Sequence, residues 1–183
     1  DKVGSMGRPF MHLSVRVIDD EGADVAPGEI GEMVVQGYKV SPGYWRDPDV
    51  TEASRPDGWF RTGDHVRQDA DGYLWYMDRA KDMIKSGGEN VASAEIERVV
   101  LSHPDVAEAA VIGVPDDRWT EVPAAYVVAR TGATLSPDDV REFCRERLAK
   151  FKVPAHVIVE ETLPRNDSGK VLKRVLRERG DVG

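Results

Sequence analysis

The sequence has 183 residues, of which 40% are hydrophobic and 32% charged, so its composition is typical of a globular protein with one large domain or two small ones. A formal net charge of -8 argues against a general binder of nucleic acid or of an acidic membrane surface, because like charges repel. The single cysteine, Cys144, excludes an internal disulfide, and the four histidines are scattered without metal-ligand spacing. No apolar run approaches the ~20 residues of a membrane helix. We therefore expect a cytoplasmic protein without a metal site of its own or a membrane span.

The first part of the chain, residues 1–80, is predicted to form short β-segments separated by turns. The strand candidates are "HLSVRVID" at 12–19, "EMVVQGY" at 32–38 and the segment that follows the turn at Asp71 and Gly72. A small antiparallel sheet or barrel is the expected result.

The second part, residues 81–183, mixes helices and strands. The predicted elements are a helix at 94–102, strands at 106–114 and 122–129, a helix after Ser136, a strand at 156–160 and a short basic helix from about 171. Ser136 is a good N-cap, and Pro137 suits the first helical position. Cys144 lies on the apolar face of that helix, so it is expected in the core. The overall class is therefore α+β.

The segment "GWFRTGD", residues 58–64, contains a candidate nucleotide ligand. We predict that Asp64 ends a tight Thr-Gly turn, where its carboxylate can accept two adjacent hydrogen bonds from a vicinal diol such as a ribose. Taken alone, a TGD triplet is more often an ordinary turn.

The border between the two parts is "DRAKDMIKSGGEN", residues 78–90. Lys81 and Lys85 would lie one helical turn apart if the segment is helical. Gly87 and Gly88 interrupt any long helix and allow close backbone approach. A charged interdomain linker explains the same composition equally well.

The segment "LPRNDSGKV", residues 163–171, places Lys170 after a flexible glycine and downstream of Pro164. Such an ammonium can stabilise charge that develops between a carboxylate and a phosphate. Taken alone, Lys170 is an exposed lysine. The basic tail that follows is better explained as a solvated helix end than as a phosphate site for CoA.

Together these three segments, in order and spacing, resemble the C-terminal motifs of the adenylate-forming superfamily, which includes acyl-CoA synthetases, amino-acid adenylation domains and firefly-type luciferases. "GEMVVQGYKVSPGYW" and "LAKFKVP" extend the resemblance over essentially the whole chain. The resemblance implies a small β-rich subdomain, residues 1–80, that ends the large N-terminal domain. A mobile α+β lid domain, residues 81–183, would follow.

The resemblance also implies residue roles in the first half of the motif set. Asp64 and Arg79 would contact the ribose of ATP and of the acyl-adenylate. Lys81 would be the hinge about which the lid rotates.

Two lysines on the lid would serve two half-reactions. Lys170 would bridge the carboxylate and the α-phosphate during adenylation. Lys85, on the opposite face of the lid, would reach the site after rotation, when the thioester forms. Gly87 and Gly88 would line the passage of the pantetheine thiol. A rotating lid presents a different face to each step.

The implied function is that of the C-terminal portion of an ATP-dependent acyl-CoA ligase, an acid-thiol ligase of fatty acid or related metabolism. It would activate a carboxylic acid as acyl-AMP and transfer it to CoA. The substrates would be the acid, ATP and CoA, with Mg bound to ATP through ligands mostly outside this chain. The N-terminal part of the same enzyme would be the main partner. A homo-oligomer is a further possibility at this stage. Alone, the chain is expected to be inactive.

Two alternatives remain at this stage. The enzyme could load a carrier protein instead of CoA, or the chain could be a stand-alone, non-catalytic binding module. Two departures from the resemblance leave the subfamily undefined: Ala92-Ser93 replaces an aromatic residue followed by Pro, and Thr120 replaces a common Gly.

Overall fold

The computed structural model describes residues 1–179, and its contacts divide the chain into two compact units, Asp1–Lys81 and Asp82–Gly183. The strands described are β1 Leu13–Ile18, β2 Ile30–Gly37, β3 Phe60–Gln68, β4 Leu74–Arg79, β5 Ile84–Ser86, β6 Glu89–Val91, β7 Val106–Asp116, β8 Thr120–Ala129 and β9 His156–Glu160. The α-helices described are α1 Pro48–Ala53, α2 Ser93–Leu101, α3 Pro137–Arg145 and α4 Lys173–Arg179. The α+β class is confirmed. The assignment of the first part to a larger domain and of the second to a lid stays a prediction.

The first unit is built on an open antiparallel sheet with strand order β1-β2-β3-β4. Val17, Val66 and Leu74 are buried on one face of it and form its small core. Val15, Val17 and Met33 of β1 and β2 contribute to this face, whereas Ile18 and Val34, which point to the other face, are also buried. The predicted antiparallel sheet is confirmed, and its form is a sheet rather than a barrel.

The prediction of a tight turn at Thr62–Asp64 is wrong, because these residues lie inside β3. Gly63 has a φ of 68°, and the pairing of β3 shifts register with both neighbours close to this point. A positive φ inside a shifted ladder is typical of a β-bulge, which re-aims the side chains beside it. The Thr-Gly pair therefore marks a bulge within a strand.

A short helix was also not predicted within the Pro/Gly/Asp-rich segment of the first unit. Helix α1 begins at Pro48, and the Asp47 carboxylate accepts a hydrogen bond from the Val50 amide at 3.1 Å. Asp at the N-cap and Pro at the first helical position favour this start.

The second unit contains a sheet with order β6-β5-β8-β7, and β9 pairs in parallel with β8. Buried apolar clusters lie on both faces of its central strands. Val111 and Val127 belong to one cluster, whereas Ile112 and Tyr126 belong to the other. Burial on both faces explains why β7 and β8 are almost continuously apolar in sequence.

The helices of this unit follow the predicted signals. Ser136 Oγ accepts a hydrogen bond from the Asp139 amide at 3.1 Å and caps α3, as expected. Cys144 is fully buried in the core, and this burial raises the pKa of its thiol to about 11. Helix α4 begins at Lys173 instead of about 171, because Val171 pairs with Arg165 and the Leu172 amide donates to the Pro164 carbonyl.

The local helix considered for Lys81 and Lys85 is wrong. Lys81 lies in a 3-10 turn, Ala80–Asp82, and Lys85 lies in β5. Strands β5 and β6 form a hairpin whose turn is Gly87-Gly88, with φ values of 61° and 86°. These positive φ values are why the turn uses glycine.

Candidate active site

The ribose candidates Asp64 and Arg79 lie opposite each other in the pairing of β3 with β4. Asp64 Oδ1 is 3.1 Å from Arg79 Nε in an ion pair. This oxygen is buried and accepts no well-aligned hydrogen bond within residues 1–179. The carboxylate therefore keeps acceptor capacity for an incoming hydroxyl group.

The bulge that presents Asp64 is fixed by side-chain contacts with β2. Thr62 Oγ1 donates to the Met33 carbonyl at 2.6 Å and accepts from the Asp64 amide at 3.1 Å. The Gly63 amide donates to Glu32 Oε1 at 3.2 Å. These bonds hold the peptide units before Asp64 in one conformation, so its carboxylate is positioned in advance.

Lys81 and Lys85 occupy different units. Lys81 is exposed at the end of the first unit. Lys85 is exposed on the β5–β6 hairpin of the second, where its amide donates to Glu121 Oε2 at 2.8 Å. A Cβ at Gly87 would lie 2.8 Å from the Trp119 ring, whereas one at Gly88 would meet nothing within 4 Å in this chain.

The segment that carries Lys170 is an ordered hairpin turn. The Asn166 amide donates to the Lys170 carbonyl at 3.0 Å, and Asn166 Oδ1 accepts from the Lys170 amide at 2.8 Å. Gly169 has a φ of 82°, and its carbonyl accepts a hydrogen bond from Arg165. The side chain of Lys170 is thus exposed on a backbone that these hydrogen bonds fix.

Five of the six basic residues between Arg165 and Arg179 pair with carboxylates, and three of the five, Arg165, Arg174 and Arg179, remain exposed. The pairs are Arg165–Glu108, Lys173–Glu97, Arg174–Glu178, Arg177–Asp82 and Arg179–Glu160. Lys170 is the sixth, and no carboxylate of residues 1–179 lies within ion-pair distance of its ammonium. The cation of Lys170 is therefore available to a ligand.

Lys85 and Lys170 are attached near opposite ends of the long β7–β8 hairpin. The strand of Lys85 joins β8 at the pair Ser86–Thr120, whereas the Lys170 turn is tied through Arg165 to Glu108, which pairs with Val128. Thr120 and Val128 are on the order of 25 Å apart along an extended strand. The side chains of Lys85 and Lys170 therefore lie in different regions of the second unit.

Sequence reasoning missed a groove beside the Gly87-Gly88 turn, which we call the Trp119–Phe151 groove. It has a volume of about 650 Å³ and is lined by Ser86, Arg118, Trp119, Val122, Pro123, Lys150, Phe151, Val153 and Ala155. Both named aromatic side chains are 45% exposed. The sequence signal that could have indicated this groove is an aromatic residue beside a basic one in each of two polar turns, "DRWTE" and "LAKFKVP".

Residues 1–179 contain neither a grouped set of metal ligands nor a membrane-spanning helix. No three His, Cys, Asp or Glu side chains are grouped closely enough there to hold a metal ion. These residues thus do not form a magnesium site by themselves. No helix of the same part is both long and apolar enough to cross a membrane.

Two family models match separate parts of the chain. The model of the AMP-binding enzyme family matches residues 1–45, and that of the AMP-binding enzyme C-terminal domain matches residues 95–170. The chain is 49% identical to a 2-succinylbenzoate–CoA ligase of Geobacillus kaustophilus over 96% of its length. It is also 48% identical to the long-chain-fatty-acid–CoA ligase FadD13 of Mycobacterium tuberculosis over 97% of its length.

The matches to these two ligases cover nearly all of this chain but only part of each relative. The chain spans about 36% of the first of these ligases and 35% of the second. Among solved structures, o-succinylbenzoate CoA synthetase (MenE) from Bacillus subtilis, in complex with the acyl-adenylate OSB-AMP, superposes with a TM-score of 0.86 at 43% identity. That match covers 96% of this chain and 36% of MenE. The chain belongs to the adenylate-forming, AMP-binding enzyme superfamily, and it corresponds to the C-terminal portion of these enzymes.

Proposed function

We propose that the chain is the C-terminal part of an ATP-dependent acyl-CoA ligase. The complete enzyme activates a carboxylic acid as acyl-AMP with release of pyrophosphate, and then transfers the acyl group to the thiol of CoA. The residues of the first unit hold the nucleotide, and the second unit supplies a different lysine to each half-reaction. The relatives named above, all acid–CoA ligases, support this proposal.

The ammonium of Lys170 has no carboxylate partner within residues 1–179, and this observation carries the proposal. The other basic residues of its segment are neutralised by carboxylates of the same unit. An exposed cation on a fixed turn suits a mobile anionic group such as an acyl phosphate. There it stabilises the charge that develops as the carboxylate attacks the α-phosphate. Lys170 is thus the proposed adenylation residue.

Asp64 and Arg79 are the proposed nucleotide ligands. The Asp64 side chain is 25% exposed as a whole, and its carboxylate has acceptor capacity that suits one or both hydroxyl groups of a ribose. Arg79 stays paired with this carboxylate at 3.1 Å while it accepts these bonds. Lys81, at the end of the first unit, is the proposed hinge.

The Trp119–Phe151 groove favours CoA over a carrier protein as acceptor. Two half-exposed aromatic rings offer stacking surfaces for a purine, and Arg118 and Lys150 beside them offer cations for phosphate groups. A phosphopantetheine attached to a carrier protein has neither the purine nor its additional phosphates. The groove adjoins the turn of Gly87 and Gly88, which we propose as the path of the thiol.

The acid is the least defined substrate. The two relatives are named for 2-succinylbenzoate and for long-chain fatty acids, at nearly the same identity. We propose a fatty or related acid. ATP is proposed to bring Mg, and the cytoplasmic location and any homo-oligomer stay predictions. The 183-residue chain alone is expected to be inactive, because it does not hold acid and ATP together.

The test uses the complete enzyme with ATP and a panel of carboxylic acids. Pyrophosphate release should require an acid, and acyl-CoA should form once CoA is added. Lys170→Ala should slow pyrophosphate release by about 100-fold or more. Arg174→Ala, which removes a charge from the same segment but breaks only an exposed pair, is the matched control.

Three outcomes would contradict the proposal. Pyrophosphate release without any acid would exclude acid activation, and equal rates for Lys170→Ala and Arg174→Ala would remove Lys170 from the reaction. Transfer to a phosphopantetheinylated carrier protein but not to CoA would favour the carrier-loading alternative.

A further inference from the structure

The β5–β6 hairpin is packed in the core through Ile84 and Val91, but its backbone pairing with the rest of the sheet is sparse. A single residue pair, Ser86–Thr120, aligns β5 with β8. On one side of it, the Gly87 amide donates to the Trp119 carbonyl at 2.8 Å. On the other side, the Lys85 amide donates to Glu121 Oε2 at 2.8 Å. A side chain thus takes the place that a backbone carbonyl normally holds in a ladder.

The space for this carboxylate is provided by the neighbouring strand. Gly113 on β7 lies beside Glu121, and a Cβ at this position would be 2.8 Å from Glu121 Oε2 and 3.0 Å from its Cδ. The φ of Gly113 is not in the left-handed region, so conformational freedom does not explain this glycine. Its lack of a side chain leaves Glu121 free to face the Lys85 amide.

The backbone beside Glu121 is strained. Thr120 has a φ of 70°, and it is the β-branched member of the three non-glycine residues with positive φ in the described chain. For a β-branched residue this conformation is costly and persists only where its surroundings enforce it. The strained backbone of Thr120 indicates that the surrounding structure holds the orientations of Trp119 and Glu121 against the conformational preference of Thr120 itself.

We propose that Glu121 is a positioning residue for the acceptor half-reaction. Through the Lys85 amide it holds β5 in register, so that Lys85 and the Gly87-Gly88 turn keep a fixed position beside the Trp119–Phe151 groove. The inference rests on the proposed function, because it assigns Glu121 to thioester formation and not to adenylation. Glu121 touches no substrate in this account.

The first test measures the hairpin directly in the 183-residue chain. In Glu121→Ala the amide of Lys85 should exchange with solvent about tenfold faster than in the wild type. Glu121→Gln, whose amide oxygen still accepts a hydrogen bond, should restore most of the protection. Asp117→Ala, which removes an exposed carboxylate from the same β7–β8 loop, should leave the exchange unchanged. Equal exchange in Glu121→Ala and in the wild type would overturn the proposal.

Gly113→Ala provides a second variant that keeps Glu121 and the net charge. Its new methyl group should displace the carboxylate and raise the Lys85 exchange in the same direction as Glu121→Ala, although less strongly. Unchanged Lys85 protection in Gly113→Ala would contradict the packing argument.

The second test separates the half-reactions in the complete enzyme. Glu121→Ala should slow transfer of a preformed acyl-adenylate to CoA by about tenfold while pyrophosphate release stays within about twofold. Equal losses in both steps, or none, would overturn the assignment to the acceptor step. If the wild-type enzyme forms no acyl-adenylate at all, the proposed function fails, whereas the exchange result for Lys85 stands or falls independently.

Discussion

Replacement of Lys173 by methionine tests how helix α4 is fastened beneath the Lys170 turn. Lys173 Nζ lies 2.8 Å from Glu97 Oε1 and 2.7 Å from Ser93 Oγ. Its side chain is 18% exposed and that of Glu97 is 21% exposed. Methionine has a similar length but no charge, so Lys173→Met removes this ion pair and leaves Glu97 Oε1 with the hydrogen bond from the Val111 amide of β7, at 2.8 Å.

The expected loss of stability follows from this burial. A hydrogen bond to a charged group contributes about 1.5–3 kcal/mol, and partial exposure reduces this, so we expect Lys173→Met to cost about 2 kcal/mol. A unit of about 100 residues loses about 4–8 °C of Tm for each kcal/mol, which predicts a fall of about 10 °C for the second unit. Because Lys173 follows the Lys170 turn closely, adenylation by the complete enzyme should slow as well.

The assay is urea unfolding of the 183-residue chain, followed by a probe in the second unit. Arg174→Met is the control, since Arg174 and Glu178 form an i,i+4 pair with side chains 74% and 59% exposed, worth less than about 0.5 kcal/mol. A double-mutant cycle of Lys173→Met with Glu97→Gln should give a coupling of about 1 kcal/mol or more. A cost for Lys173→Met equal to that of Arg174→Met would refute the reasoning.

Two further predictions concern glycine and cysteine. Gly87→Ala should displace the Trp119 ring and weaken CoA binding to the chain, as measured by calorimetry. Gly88→Ala should leave the Trp119 indole resonance in place. A larger effect of Gly88→Ala than of Gly87→Ala would contradict the contact geometry. Burial raises the pKa of Cys144 from 9.0 to about 11, so the unfolded thiol loses its proton first and stability should fall as pH rises from 9 to 11. Cys144→Ala should lack this slope, and rapid labelling of folded Cys144 at pH 8 would contradict its burial.

The elements with strong local signals were predictable from sequence. Ser136 and Pro137 predict the start of α3, and the apolar runs of β7 and β8 predict strands that are buried on both faces. In these cases the local preference and the tertiary environment favour the same structure.

The short polar strands were not predictable. In β3 and in the β5–β6 hairpin the chain is rich in charges and glycine, and partners distant in sequence stabilise the strands. Gly63 therefore suggested a turn where it forms a bulge, and Lys81 and Lys85 suggested a helix that does not exist. Strand preference depends on such neighbours more than helix preference does.

The candidate site divides in the same way. The roles of Asp64 and Lys170 were predicted from a resemblance of motifs, whereas their geometry depends on β4 and on the Asn166 turn. The Trp119–Phe151 groove joins residues about thirty positions apart, which no local pattern connects. No sequence pattern indicated the role of Glu121, because a single carboxylate within a strand is common.

The central claim is that two lysines of one unit serve two different half-reactions, and single-turnover kinetics of the complete enzyme test it most directly. Lys170→Ala should slow formation of acyl-AMP by about 100-fold while a supplied acyl-adenylate is still converted to acyl-CoA at close to the wild-type rate. Lys85→Ala should show the opposite pattern, with pyrophosphate released normally and thioester formed slowly. Equal losses of both steps in both variants would contradict the account.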